Sequence, residues 1–138
     1  MSKKVNTSPR KKPTRQELRD LDLEIAFLEG LISRDGNYVE ALQILGDDYT
    51  TRGRYAEGLK IDERLCKLRP GDSLVHYNLA CSYSLTEQLE LALESLESAL
   101  NLGYSDFKWM AQDPDLENLR EHDAYKRIQA KVRQLRVK

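Results

Sequence analysis

The chain repeats itself. With residues 39–72 laid over residues 73–106 at an offset of 34, Leu45-Gly46 falls on Leu79-Ala80, Tyr49 on Tyr83, Gly58 on Ala92, Leu59 on Leu93 and Leu65 on Ala99. A unit of this length is a pair of helices that leaves one apolar side open, so it becomes stable only by stacking on a neighbouring unit. The small residues have a physical purpose in this scheme. Two antiparallel helices joined by a short turn approach closely only where small side chains meet, so Gly46 is expected opposite the region of Gly58, and Ala80 opposite the region of Ala92. Tyrosines and leucines then fill the space between successive pairs.

The rest of the chain carries helical spacing as well. Leu18, Leu21, Ile25, Leu28 and Ile32 recur every three or four residues, which predicts one helix over about Arg15 to Arg34, opened by a capping box from Thr14 and Glu17. Asn37 is expected to cap a second helix to Arg52, Gly53 to close it, and a third to run from Tyr55 to Leu68 before Pro70-Gly71. Asp72 or Ser73 should cap a fourth helix to Leu85, followed by a fifth over Glu87 to Leu102. Beyond Gly103 the pattern predicts short turns at Ser105 to Ala111 and Pro114 to Arg120, then a last helix over His122 to Leu135 whose apolar face is Tyr125, Ile128, Val132 and Leu135. No stretch alternates with period two. The predicted fold is all-α, about six to eight helices in stacked antiparallel pairs, forming one domain over residues 14–138 with the two repeats flanked by a capping helix (15–34) and a degenerate segment (107–136).

Charge divides the chain. Residues 1–16 and 126–138 each hold six Lys or Arg and no acid, leaving ten basic residues against all 23 acids between them, a net of −13. Residues 1–13, MSKKVNTSPRKKP, have too little apolar surface to offset the entropy of ordering and are expected to form a disordered basic tail. No run of about 18 apolar residues is present, so no membrane span is predicted, and the basic start lacks the apolar stretch of a secretory leader, which points to the cytoplasm. Cys66 and Cys81 have no CxxC spacing and are expected as small buried hydrophobes.

Catalytic patterns are missing from the sequence. There is no phosphate-binding Gly-rich loop, GxSxG or HExxH, and His76 and His122 stand outside any ligand spacing. His76 is expected to pack where an aromatic would, and the pairs Asp47-Asp48 and Asp62-Glu63 are expected on solvated faces. No enzymatic activity, metal or cofactor is predicted.

These residues carry a resemblance to the tetratricopeptide-repeat (TPR) family. Residues 39–72 match its unit at Leu45, Gly46, Tyr49, Gly58 and Pro70, with Leu42 and Asp62 where aromatics are usual; residues 73–106 match at Leu79, Ala80, Tyr83, Ala92, Leu96 and Ala99, with His76 for an aromatic and Tyr104 for proline. The segment Gly103-Tyr-Ser-Asp leading to Asp113-Pro-Asp-Leu is similar to the closing segment of small bacterial members. The resemblance implies a short right-handed superhelix that binds a protein or peptide in a concave groove lined by the first helix of each unit. Carried over by position, the groove comprises Glu40, Gln43, Asp47, Thr50 and Thr51, then Leu74, Tyr77, Cys81, Ser84 and Leu85, with Asn78 resembling one member of a carboxylate clamp. None of these is Lys or Arg, so the groove suits a segment carrying basic and apolar side chains rather than a terminal carboxylate. Solvated helix surface is the plainer reading of the same polar positions. Self-pairing of an exposed end of the stack is the alternative function, because Ala26, Phe27 and Leu31 broaden the apolar surface of the first helix. Weak, salt-sensitive nucleic-acid binding through the basic termini is a third.

Overall fold

The computed structural model describes residues 12–137, and among them it is all-helical, with no strand. The expected tail at residues 1–13 falls, up to residue 11, outside the described residues. The helices are α1 (Arg15–Arg34), α2 (Val39–Arg52), α3 (Tyr55–Leu68), α4 (Ser73–Leu85), α5 (Leu89–Asn101), α6 (Phe107–Gln112), α7 (Glu117–Arg120) and α8 (Lys126–Val137). Single 3-10 turns at Pro114–Leu116 and Asp123–Tyr125 precede α7 and α8. Each helix from α1 to α4 packs along the one that follows it.

Side-chain caps mark the starts of α1, α4 and α6. Thr14 and Glu17 form the expected reciprocal box at the start of α1, and the Asp72 side chain accepts from the backbone amides of Leu74 and Val75 at the start of α4. Asn37 does not cap α2. The capping position belongs to Tyr38, which makes no side-chain cap bond, and the Asn37 amide instead donates to Asp35 in the preceding turn.

The start of α5 also differs from expectation, for a reason rooted in the repeat. Gly53 ends α2 in the left-handed region at φ +85, with its amide donating to Thr50 and that of Arg54 to Tyr49. One repeat later, the amides of Glu87 and Gln88 donate to Ser84 and Tyr83, and Glu87 has φ +60. The turn is copied with a Cβ-bearing residue in the left-handed position, a conformation that ends a right-handed helix, and α5 starts two residues later at Leu89, just as α3 starts at Tyr55 two residues after Gly53. Because the Glu87 side chain is exposed, Glu87→Gly should remove strain without losing contacts. A gain of about 1 kcal/mol in unfolding free energy is expected from chemical denaturation.

Close packing occurs where the small residues are. A Cβ on Gly46 would lie 3.2 Å from an Ile61 methyl and 3.3 Å from Asp62 Oδ1, and one on Gly58 would lie 3.3 Å from Thr50 Oγ1 and 3.6 Å from the Gly46 carbonyl oxygen. Asp62 therefore sits inside rather than on a solvated face. It is buried, accepts a hydrogen bond from Ser82, and so joins the first helix pair to the second at the place where an aromatic was expected. Asp48 is buried too, Asp47 is half-buried, and of the four acids expected on solvated faces only Glu63 is exposed.

The main core lies between α4, α5 and the C-terminal segment, with Leu93, Leu96, Leu116 and Ile128 fully enclosed. Ala80 and Ala92 share that core. Two smaller clusters join α1 to α2 through Ile25, Leu28 and Leu45, and α2 to α3 and α4 through Leu42, Leu65 and Val75.

Candidate functional site

The inner face of α4 is covered by the chain's own C-terminal segment. Tyr77 is 0% exposed, its ring stacked on Tyr104 with centroids 4.1 Å apart, and its hydroxyl donates to Asp113 Oδ2 at 2.7 Å. The same carboxylate oxygen lies 3.7 Å from Cys81 Sγ, and Asp113 Oδ1 accepts from the Asp115 amide at 3.0 Å. One buried carboxylate thus anchors the segment to α4 and caps the 3-10 turn at Pro114–Leu116. Farther along α4, the Asn118 side-chain amide donates to the Ser84 carbonyl at 3.2 Å, while Arg120 reaches back to the Met110 carbonyl at 3.0 Å. Burial first, then the neighbouring Cys81 and Asp113, pushes the Tyr77 phenol far above its ordinary range, so it stays a donor.

This geometry revises the expected groove. Tyr77, Cys81 and Ser84 are enclosed and face no solvent. Thr50 is also buried, its hydroxyl turned back to the Gly46 carbonyl. Asn78, Leu74 and Leu85 are half-buried. On α2 the face remains open: Glu40 is exposed, Gln43, Asp47 and Thr51 are half-buried, and Ile44 is 40% exposed beside them. The structure therefore gathers Tyr77 and Cys81 around Asp113 and leaves Glu40, Gln43 and Asp47 on a separate, accessible surface. Asp113, Asp115 and Asn118 were missed as groove residues. The sequence signal for the first was local, since Asp before Pro, with Asp two residues on, is the pattern of a side-chain-capped turn.

A second polar cluster lies between α1 and the α2–α3 turn. Arg54 makes two bonds to Glu57 at 2.6 and 2.7 Å, approaches Glu29 at 3.6 Å and covers the Tyr49 ring at 4.8 Å. The Tyr49 hydroxyl donates to Glu29, and Arg52 pairs with Asp22 at 2.8 Å. These charges are matched to one another, and pairs this exposed contribute little individually.

Cys66 is half-buried rather than enclosed, and burial together with Asp62, Asp72 and Glu63 pushes its thiol up to about 11, disfavouring the thiolate. His76 does not replace a core aromatic outright: it is half-buried, with Nε2 2.7 Å from the Pro70 carbonyl oxygen. His122 caps its own turn by accepting from the Ala124 amide. Among the described residues, no three His, Cys, Asp or Glu side chains are grouped to hold a metal ion, and no helix is long and apolar enough to cross a membrane.

No family model matches the chain. It is similar to a chloroplast protein of Arabidopsis thaliana, with 40% identity over 79 residues, covering 55% of this chain and 24% of that protein. The chain thus spans about a quarter of the length of the curated relative it matches.

Proposed function

We infer that the chain is a non-enzymatic, tetratricopeptide-type interaction module whose helix pairs form a short right-handed superhelix and hold a protein or peptide segment. The reading is supported most by one observation: one face of α4 already holds a capped 3-10 turn of the same chain, Asp113 to Leu116, through side-chain hydrogen bonding to Asp113 and apolar burial of Leu116. A helix stack that grips a turn of its own chain has the chemistry to grip a foreign segment where it is open. The open part is α2, where Glu40 and Asp47 supply negative charge, Gln43 adaptable hydrogen bonding and Ile44 an apolar contact.

The partner class that fits is a segment bearing Lys or Arg beside an apolar side chain, since opposite charge speeds encounter and apolar contact lengthens residence. No cofactor or metal has a role in this reading. The compartment proposed is the cytoplasm; the chloroplast named for the Arabidopsis relative is the rival address.

Selection of a random peptide library on the immobilised protein should enrich basic residues next to an aliphatic or aromatic one. Glu40→Lys combined with Asp47→Lys should abolish that enrichment while leaving the helical circular dichroism unchanged. Equal enrichment by the variant, or no enrichment by the wild type, would reject the reading.

A further inference from the structure

An open slot of about 300 Å³ lies between α6 and α8, with Phe107, Met110, Ile128 and Val132 among its walls. Met110, Ile128 and Val132 are buried, whereas Ala111 and Gln129, which also line it, are exposed, so an apolar floor lies beneath a solvent-facing rim.

The rim is basic. Arg120 and Arg133 line the slot, and no Asp or Glu does. Arg120 donates to the Met110 carbonyl at 3.0 Å, which fixes its guanidinium there and uses one of its several donors. At about 100° per residue, Lys126 and Arg136 fall on the same side of α8 as Gln129 and Arg133. Arg127 and Lys131 fall on the opposite side, where Arg127 pairs with Glu97 of α5 at 3.0 Å. Among the described residues, no carboxylate pairs with Lys126, Arg133 or Arg136. Of the nearby acids, Asp106 caps α6 by accepting from the Trp109 amide, and Glu117, Glu121 and Asp123, exposed on α7 and the turns before α8, do not line the slot.

We propose that this slot docks a protein segment in which large apolar side chains stand beside Asp or Glu, the apolar groups entering between α6 and α8 and the carboxylates meeting the basic rim. Charge selects that occupant. Residues 1–11 of the chain itself hold Lys3, Lys4, Arg10 and Lys11 and no acid, so they would be repelled. A single carboxylate on an alkyl chain would satisfy one base, whereas Lys126 to Arg136 extend over about 15 Å of helix and match several. A nucleic acid would meet the charges but leave the apolar floor unused, and of the aromatic rings lining the slot Tyr125 is buried and Phe107 half-buried, which denies bases a stacking platform. A second copy offers the outer face of α1, where Arg19 and Arg34 balance Asp20 and Glu24, or α2, where Ile44 is only 40% exposed and too shallow to fill the slot. The slot is separate from the open face of α2 and takes a partner of opposite charge, so the two sites are independent.

Selection of a random peptide library on the immobilised protein should enrich a second class, peptides with Asp or Glu beside Leu, Ile or Phe. The most enriched of these, fluorescein-labelled and followed by anisotropy, should bind about tenfold more weakly to Ala111→Trp, which fills the slot and keeps every base. Arg133→Glu combined with Arg136→Glu should weaken binding by about the same factor, and added salt should weaken it in the wild type. All three side chains are exposed, so the helical circular dichroism should not change. Glu40→Lys combined with Asp47→Lys should not weaken this peptide, which separates the slot from α2. Absence of an acidic, apolar class overturns the proposal. So does full binding by Ala111→Trp, which would assign the basic row to polyanions such as nucleic acid. Wild-type dimers in sedimentation velocity that Ala111→Trp disperses would place a second copy in the slot and overturn it as well.

Discussion

Replacing Trp109 by alanine is expected to lower the unfolding free energy by about 4 kcal/mol, the usual cost of emptying a buried tryptophan site. Trp109 is 4% exposed and belongs to the main core, which also contains Leu93, Leu96, Leu116 and Ile128. It stands on α6, a helix of only six residues with little stability of its own, so this short element depends on the side chain to reach the core. Trp109→Phe separates volume from polarity. The indole N–H is buried without a hydrogen-bond partner, so phenylalanine loses packing but also removes an unsatisfied donor, and a cost of about 1 kcal/mol is expected. Urea titration of both variants gives the magnitudes. Hydrogen exchange gives the location: in Trp109→Ala, amides of α6 to α8 should lose protection more than those of α2 and α3, because stability in stacked helices is distributed by neighbouring interfaces. Uniform loss of protection would show instead that the stack unfolds as one unit.

What could be read in the sequence was local or periodic. The limits of α1 and α3 were legible because a capping box opens α1 and Gly53 and Pro70 bracket α3, and the meeting of Gly46 with Gly58 followed from small residues on two helices joined by a short turn. Two errors arose where a residue type and its backbone disagree: Glu87 adopts a conformation that composition assigns to glycine, and Asn37 was credited with a cap that Tyr38 occupies. The buried acids were illegible for another reason. Asp62 and Ser82 satisfy one another across 20 residues, and a charge whose partner lies in the next helix pair looks, in isolation, like a solvated residue.

The groove was misread on a larger scale. Placing ligand positions from a repeat pattern treats the inner face as empty, yet the Tyr77–Asp113 contact spans 36 residues and depends on the C-terminal segment folding back. No periodicity within either repeat encodes that return. The apolar breadth of α1, by contrast, was visible in Phe27 and Leu31, although the exposure of Leu23 emerges only with the fold.

Asp113→Ala should have the second large effect, about 3 kcal/mol, and should do more than destabilise. Asp113 is 1% exposed and meets two demands at once: it accepts from the Tyr77 hydroxyl and from the Asp115 amide that opens the 3-10 turn. Alanine leaves a buried phenol without an acceptor, which costs about 1–3 kcal/mol, and removes a cap worth about 1 kcal/mol. Tyr77 cannot relieve the loss by ionising, since burial raises its pKa well above the accessible range. Asparagine retains a carbonyl oxygen for one of these bonds, so Asp113→Asn should fall between the wild type and alanine. Adding Tyr77→Phe to Asp113→Ala removes the orphaned hydroxyl, and the double variant should be less destabilised than the two single changes sum to, by about 1 kcal/mol. The functional consequence can be read at Cys81, which the same segment encloses. If Asp113 is the anchor, its alanine variant should make Cys81 modifiable by a thiol reagent under native conditions, at concentrations where the wild type resists. Unchanged protection of Cys81 would mean that apolar packing of Leu116 and Leu119 holds the segment without the carboxylate.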